Sequence, residues 1–117
     1  MREEVAQEWI ERMRQAFVSQ DCQFHISDLK QPFRTSAESS FVSACQQELK
    51  ELGLSPGLSK ISSCTEASVF GRLGVECLVF GPGQGIGNSH APNEHITLEQ
   101  LDIATEFYKK MIERYCL

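Results

Sequence analysis

Residues 76–83 read ECLVFGPG, and residues 84–94 continue as QGIGNSHAPNE. An almost continuous apolar run, residues 75–80, therefore enters a loop that is rich in glycine. A short apolar run that ends at glycine is typical of a strand buried on both faces of an α/β sheet. The glycines allow the loop to turn tightly, and the loop presents one histidine, His90, between small residues.

Amphipathic helices are predicted towards both ends of the chain. Residues 2–18 place apolar side chains at helical spacing, with Glu and Arg on the opposite face. Residues 97–100 (TLEQ) form a capping box, in which a Thr hydroxyl and a Gln side chain each satisfy a backbone N–H. The sequence therefore predicts a C-terminal helix that begins at this box.

Two further capping boxes predict helices in the middle of the chain. Residues 35–38 (TSAE) precede an apolar face that continues to Gly53, which is a natural residue just after a helix end. Residues 63–66 (SCTE) precede a short helix that continues to about Arg72 and is closed by Gly74. In this box Glu66 would accept a backbone hydrogen bond at the helix N-terminus.

Weaker strand patterns occupy residues 22–29, which alternate in polarity, and residues 58–62. The predicted order is then helix, strand, helix, strand, helix, strand, loop and helix. Because strands that alternate with helices favour a sheet covered by helices, the predicted fold class is α/β.

The composition excludes several classes of protein. The 117 residues carry a formal net charge of −5 without a basic stripe, so we expect no nucleic-acid partner. No apolar run approaches the roughly 18 residues that span a bilayer, and the N-terminus lacks the apolar core of a signal peptide. We therefore expect a cytoplasmic protein that does not enter a membrane.

The five cysteines form no C-x-x-C pair and fit no zinc-ribbon spacing. We expect reduced and mostly buried thiols in a reducing compartment. Cys64 precedes a predicted helix and could have a lowered thiol pKa, but no histidine lies near it in the sequence to form a nucleophilic pair.

The glycine-rich loop does not fit a phosphate-binding pattern, because Pro82 removes a backbone donor and no G-K-[ST] follows. The imidazole of His90 either ligates a metal ion or caps a neighbouring loop, and the local sequence leaves both open. Glu94 either fixes the loop through backbone hydrogen bonds or supports His90. A single-site metal carrier that uses His90, His95 and Glu94 is a weaker alternative.

Three motifs together resemble the M20 family of zinc metallopeptidases and deacylases. These are residues 64–67 (CTEA), residues 80–83 (FGPG) and residues 90–94 (HAPNE), which occur in the order and spacing of that family. The resemblance is strongest to its acetylornithine deacetylase branch, with succinyl-diaminopimelate desuccinylase next. The resemblance covers essentially the whole of this chain. It corresponds to only the last third or so of a family member.

The resemblance implies a C-terminal fragment of a phosphorylase/hydrolase-like zinc-peptidase catalytic domain, with the last helix and strand of a ferredoxin-like lid. Residues 1–31 would end the lid or dimerisation domain, and residues 32–117 would belong to the catalytic domain. His90 would be the last ligand of a two-metal site that holds zinc or cobalt. Thr65, Gly81 and Gly83 would shape the substrate pocket, and the residues that support this site would be Glu66, Asn93 and Glu94.

The resemblance also implies what this chain lacks. The family's other metal ligands and its general base belong to an N-terminal segment that is absent here. We therefore expect no catalytic residue in this chain, no tight metal binding and no hydrolysis by the chain alone.

The parent enzyme would hydrolyse the amide bond of an N-acyl amino acid or short peptide, with two metal ions supplying a hydroxide. The missing N-terminal segment would be a partner, and self-association to a homo-oligomer is expected. The alternative is a non-catalytic module that acts through self-association or by packing with a partner.

Overall fold

The computed structural model describes residues 3–18 and 23–117. Those residues form four helices, α1 (Glu3–Val18), α2 (Ser40–Glu51), α3 (Ala67–Arg72) and α4 (Leu98–Cys116). The chain divides into two compact units. Unit 1 comprises Met1–Arg34 and Ser62–Cys77, and unit 2 comprises Thr35–Ile61 and Leu78–Leu117. The predicted domain border between residues 31 and 32 stays a prediction.

Helix α4 begins as its capping box predicts. The Thr97 hydroxyl accepts a hydrogen bond from the Gln100 N–H at 3.1 Å. The Gln100 side-chain oxygen accepts from the Thr97 N–H at 3.0 Å. These two bonds satisfy backbone donors that a helix start otherwise leaves without partners, so the first turn of α4 is fixed by local sequence alone.

The N-terminus of α2 differs from the prediction. The capping box at residues 35–38 is wrong, because Ser39 is the cap and its hydroxyl accepts from the Val42 N–H at 3.1 Å. The Ser36 hydroxyl instead accepts from the Glu38 N–H at 3.2 Å, in a turn before the helix. The C-terminus agrees with the prediction, since Gly53 follows the helix with a φ of 74° that suits glycine.

The three predicted strands are wrong for the residues that the structure describes. Residues 23–29, 58–62 and 75–80 lie outside both helices and strands, and residue 22 lies outside the described residues. A strand exists only when a neighbour shares its hydrogen-bond ladder, and the described residues supply no such neighbour. The predicted burial on both faces also fails, because Val75 and Val79 are about half exposed.

Helices α2 and α4 pack against each other and carry the buried apolar side chains of unit 2 among the described residues. Val42 is 1% exposed on α2, and Phe107 is 5% exposed on α4. Three ion pairs also join the two helices: Glu48 lies 3.1 Å from Arg114 and 3.2 Å from Lys110, and Glu51 lies 2.9 Å from Lys110. An apolar contact and a charge cluster therefore hold the same helix pair.

Unit 1 leaves much of its apolar surface open to solvent. On α1, Val5, Trp9 and Met13 follow one another at a spacing of four residues, and each is exposed. The Arg12 guanidinium lies over the Trp9 ring at 4.6 Å, which covers part of that surface. Helix α1 therefore presents a row of large apolar side chains at its surface.

The cysteines differ from the expectation of mostly buried thiols. Cys45 is buried, and burial raises the pKa of its thiol. Cys64 and Cys116 are exposed, and Cys22 lies outside the described residues. Cys64 also precedes α3 by several residues instead of lying in its first turn. In the part of the chain that the structure describes, no helix combines the length and apolar character needed to cross a membrane.

Candidate functional site

The loop that carries His90 is anchored at its start to helix α4. The Tyr108 hydroxyl donates a hydrogen bond to the Phe80 carbonyl at 2.6 Å. The Phe80 ring also lies against the buried Phe107 ring, with 4.3 Å between the centroids. The residue before Gly81 is therefore held by one polar and one apolar contact with the same helix.

The two ends of the loop meet where Gly83 contacts Ile96. Gly83 has a φ of 88°, and a Cβ atom placed on it would lie 2.7 Å from the Ile96 Cγ2 atom. Both the backbone conformation and the contact therefore require glycine. Gly81 is different, because a Cβ atom there would meet nothing within 4 Å.

We expect Gly83→Ala to lower the free energy of unfolding by about 1–3 kcal/mol, because it strains a left-handed residue and forces Ile96 aside. The matched control is Gly81→Ala, which we expect to change that free energy by less than about 0.5 kcal/mol. Urea denaturation followed by circular dichroism measures both variants. Equal effects of the two substitutions would contradict this account of the loop.

His90 is exposed and has a left-handed backbone, with a φ of 61°. Its N–H donates to the Glu94 carboxylate oxygen Oε2 at 3.0 Å, while the Glu94 N–H donates to the Ala91 carbonyl at 3.1 Å. The left-handed backbone conformation costs a histidine about 1–2 kcal/mol, so the surrounding hydrogen bonds must stabilise it. These bonds turn the chain sharply at His90.

A second set of bonds closes the same loop around His90. The Asn88 amide nitrogen Nδ2 donates to the His95 carbonyl at 2.7 Å, and the Asn88 oxygen Oδ1 accepts from the His95 N–H at 3.1 Å. The His95 ring nitrogen Nδ1 lies 2.6 Å from the Asn93 carbonyl. Because a carbonyl oxygen can only accept, Nδ1 carries the proton, and a neutral His95 then has its lone pair on Nε2.

Thr65 and Glu66, the other predicted site residues, belong to unit 1. The Thr65 hydroxyl accepts from the Ala67 N–H at 3.2 Å, at the start of α3. The Glu66 carboxylate does not cap this helix, so that prediction is wrong. It binds the Lys30 ammonium at 2.8 Å, and this bond lowers the pKa of Glu66 and raises the pKa of Lys30.

The structure brings Gly81, Gly83, His90, Asn93 and Glu94 together on one loop of unit 2. Their assignment as site residues stays a prediction. Sequence reasoning missed Asn88, although an Asn in a turn is a recognised backbone-bonding signal.

The described residues contain no group of three His, Cys, Asp or Glu side chains that could hold a metal ion. A metal centre of the kind that the resemblance implies needs three or four protein ligands. The described residues on their own therefore do not complete a zinc or cobalt centre.

Residues 7–114 match the sequence pattern of peptidase family M20/M25/M40. This match spans nearly the entire chain and includes the three motifs at residues 64–67, 80–83 and 90–94. The chain belongs to that family.

The chain is similar to two curated proteins. A LysW-lysine/LysW-ornithine hydrolase from Sulfurisphaera tokodaii is 25% identical over 96 residues, which cover 82% of this chain and 28% of the relative. A succinyl-diaminopimelate desuccinylase from Nautilia profundicola is 29% identical over 92 residues, covering 75% of this chain and 25% of the relative. The chain thus spans about a quarter of the length of these relatives. No solved structure matches it.

Proposed function

We propose that this chain forms the C-terminal part of a metal-dependent amidohydrolase that cleaves the amide bond of N-acyl amino acids or short peptides. Membership of the M20 peptidase family supports hydrolysis of a C–N bond, and the two relatives are named as a hydrolase and a desuccinylase. At finer detail, we propose an acetylornithine deacetylase-like activity.

The observation that carries the proposal is that His90 is exposed on a loop held by several hydrogen bonds. Its imidazole is exposed, its backbone is left-handed, and the Glu94 carboxylate accepts from its N–H at 3.0 Å. An imidazole offered from a rigid turn is a suitable ligand for zinc or cobalt. Within unit 2, Gly81 and Gly83 would line the substrate pocket, while Asn93 and Glu94 would support the loop around it.

In this proposal, the other metal ligands and the general base come from polypeptide outside the described residues. A bound metal would polarise the scissile carbonyl. The contribution of this chain is to hold one imidazole at a fixed place and to shape the wall beside it. We therefore propose that the chain alone does not hydrolyse substrate.

The proposal is tested by exchanging the matched segment between proteins. Residues 7–114 replace the corresponding segment of the Sulfurisphaera tokodaii hydrolase, and hydrolysis of that enzyme's substrate is measured with added zinc chloride. We expect a folded chimera to be active and His90→Ala to reduce its activity at least a thousandfold. The matched control is His25→Ala, which removes an exposed histidine of unit 1 and should leave the activity unchanged. Full activity of the His90→Ala chimera would refute the assignment.

Zinc calorimetry on the 117-residue chain is an independent test of whether its metal site is incomplete. With one ligand we expect weak or absent zinc binding, and light scattering should show self-association. Stoichiometric tight binding that is lost in His90→Ala would mean that the chain or its oligomer builds a metal site unaided.

A non-catalytic module is the second candidate, and the exposed row on α1 favours it. Val5, Trp9 and Met13 are 38%, 51% and 42% exposed, and their spacing places them on one helix face. Such a surface suits a partner or a second copy of the chain. A chain that is monodisperse alone, together with an inactive but folded chimera, would favour this candidate over the enzyme.

A further inference from the structure

Asn88 joins two parts of the His90 loop that are seven residues apart. Its amide both donates to the His95 carbonyl at 2.7 Å and accepts from the His95 N–H at 3.1 Å. One side chain therefore satisfies both backbone groups of His95, as a neighbouring strand would. No sequence motif assigned a role to Asn88.

The backbone of Asn88 is bonded within the same loop. Its carbonyl accepts from the Ala91 N–H at 3.1 Å, and its N–H donates to the Gly85 carbonyl at 3.3 Å. Asn88 is half-buried, whereas His90 is exposed. His90 therefore lies inside a ring of bonds that Asn88 closes on one side and Glu94 closes on the other.

We propose that Asn88 is a positioning residue for His90, which rests on the proposed function of His90 as a metal ligand. The amide fixes the separation of residues 88 and 95, and this separation allows Glu94 to reach the His90 N–H. Without the amide, the left-handed backbone of His90 relaxes, and the imidazole samples many directions. A ligand that must first be ordered binds metal more weakly than one that is held in place.

The first test is nuclear magnetic resonance on the 117-residue chain, without metal. In Asn88→Ala we expect amide hydrogen exchange at His90 to quicken at least tenfold, and the three-bond coupling that reports φ of His90 to shift towards an average value. Asn88→Asp keeps the acceptor for the His95 N–H, so it should give an intermediate result. The matched control is Ser89→Ala, which should resemble the wild type.

The second test uses the chimera with the Sulfurisphaera tokodaii hydrolase. We expect Asn88→Ala to need about 10–100 times more zinc chloride for half-maximal activity, as for residues that orient metal ligands, and saturating zinc should restore most of the rate. Because zinc that binds the folded state would also rescue a variant that merely folds poorly, the measurement without metal separates the two roles: a positioning residue quickens exchange at His90 and not throughout the chain.

Two outcomes would overturn the inference without touching the proposed function. Either His90 keeps its exchange rate and coupling in both Asn88 variants, or the zinc requirement of Asn88→Ala equals that of Ser89→Ala while His90→Ala remains inactive. The proposed function fails separately, if His90→Ala leaves the chimera active.

Discussion

Replacing Phe107 by alanine will lower the free energy of unfolding by about 3–5 kcal/mol. Phe107 is 5% exposed on α4, and its ring centroid lies 4.3 Å from that of Phe80. The substitution leaves a cavity beside Phe80 and removes the apolar contact that anchors the His90 loop there. Urea denaturation followed by far-ultraviolet circular dichroism measures the change.

The matched control for Phe107 is Ile112→Ala on the same helix. Ile112 is 52% exposed, so its truncation removes a side chain that is already largely in water. We expect a change below about 1 kcal/mol for this variant. If both truncations destabilised the protein equally, the buried face of α4 would be a different one from that described here.

Replacing Glu48 by alanine will lower the free energy of unfolding by about 2–3 kcal/mol. Glu48 is 8% exposed and binds both Arg114 and Lys110, so its removal leaves two cations beside each other without this carboxylate. Breaking a fully buried ion pair costs about 3–5 kcal/mol, and the partial exposure of the cations reduces that figure. Thermal unfolding and urea titration measure the effect.

Glu51 provides the control for Glu48, since it binds the same Lys110 from an exposed position. The bond to Lys110 lowers the pKa of Glu51, but water screens this pair, so Glu51→Ala should change stability much less than Glu48→Ala. A larger effect of Glu51→Ala would show that the outer pair, and not Glu48, joins the two helices.

Local signals predicted the helices well and their first residues less well. Helix α4 follows its capping box because both partners of the box lie within four residues of each other. For α2 the sequence favoured Thr35, because Glu38 completes a capping box with it, although Ser36 and Ser39 also carry hydroxyls before the helix. Ser39 caps the helix because its hydroxyl reaches the Val42 N–H.

The strands could not be derived from sequence in the same way. An apolar run such as residues 75–80 has the composition of a buried strand, but a strand also needs a partner elsewhere in the chain. Among the described residues that partner is missing, so the run lies outside a sheet. The composition of residues 75–80 indicated a preference for extended backbone. The hydrogen bonds of a sheet depend in addition on contacts with residues far away in the sequence.

In the candidate site, too, contacts between neighbouring residues could be predicted from the sequence, and contacts between distant residues could not. The motif at residues 90–94 indicated His90 and Glu94, and the structure joins them by a hydrogen bond. The partners of Asn88 and Glu66 could not be foreseen, because Asn88 bonds seven residues away and Glu66 binds Lys30, thirty-six residues away. Such partners depend on the path of the chain, which spacing alone does not give.

The left-handed backbone of His90, with its φ of 61°, restricts how this position can drift during evolution. Glycine and asparagine adopt that backbone readily, whereas β-branched residues do so at considerable cost. Descendants released from selection for an imidazole should therefore acquire Asn or Gly there first. Such descendants would keep the shape of the loop without an imidazole on it.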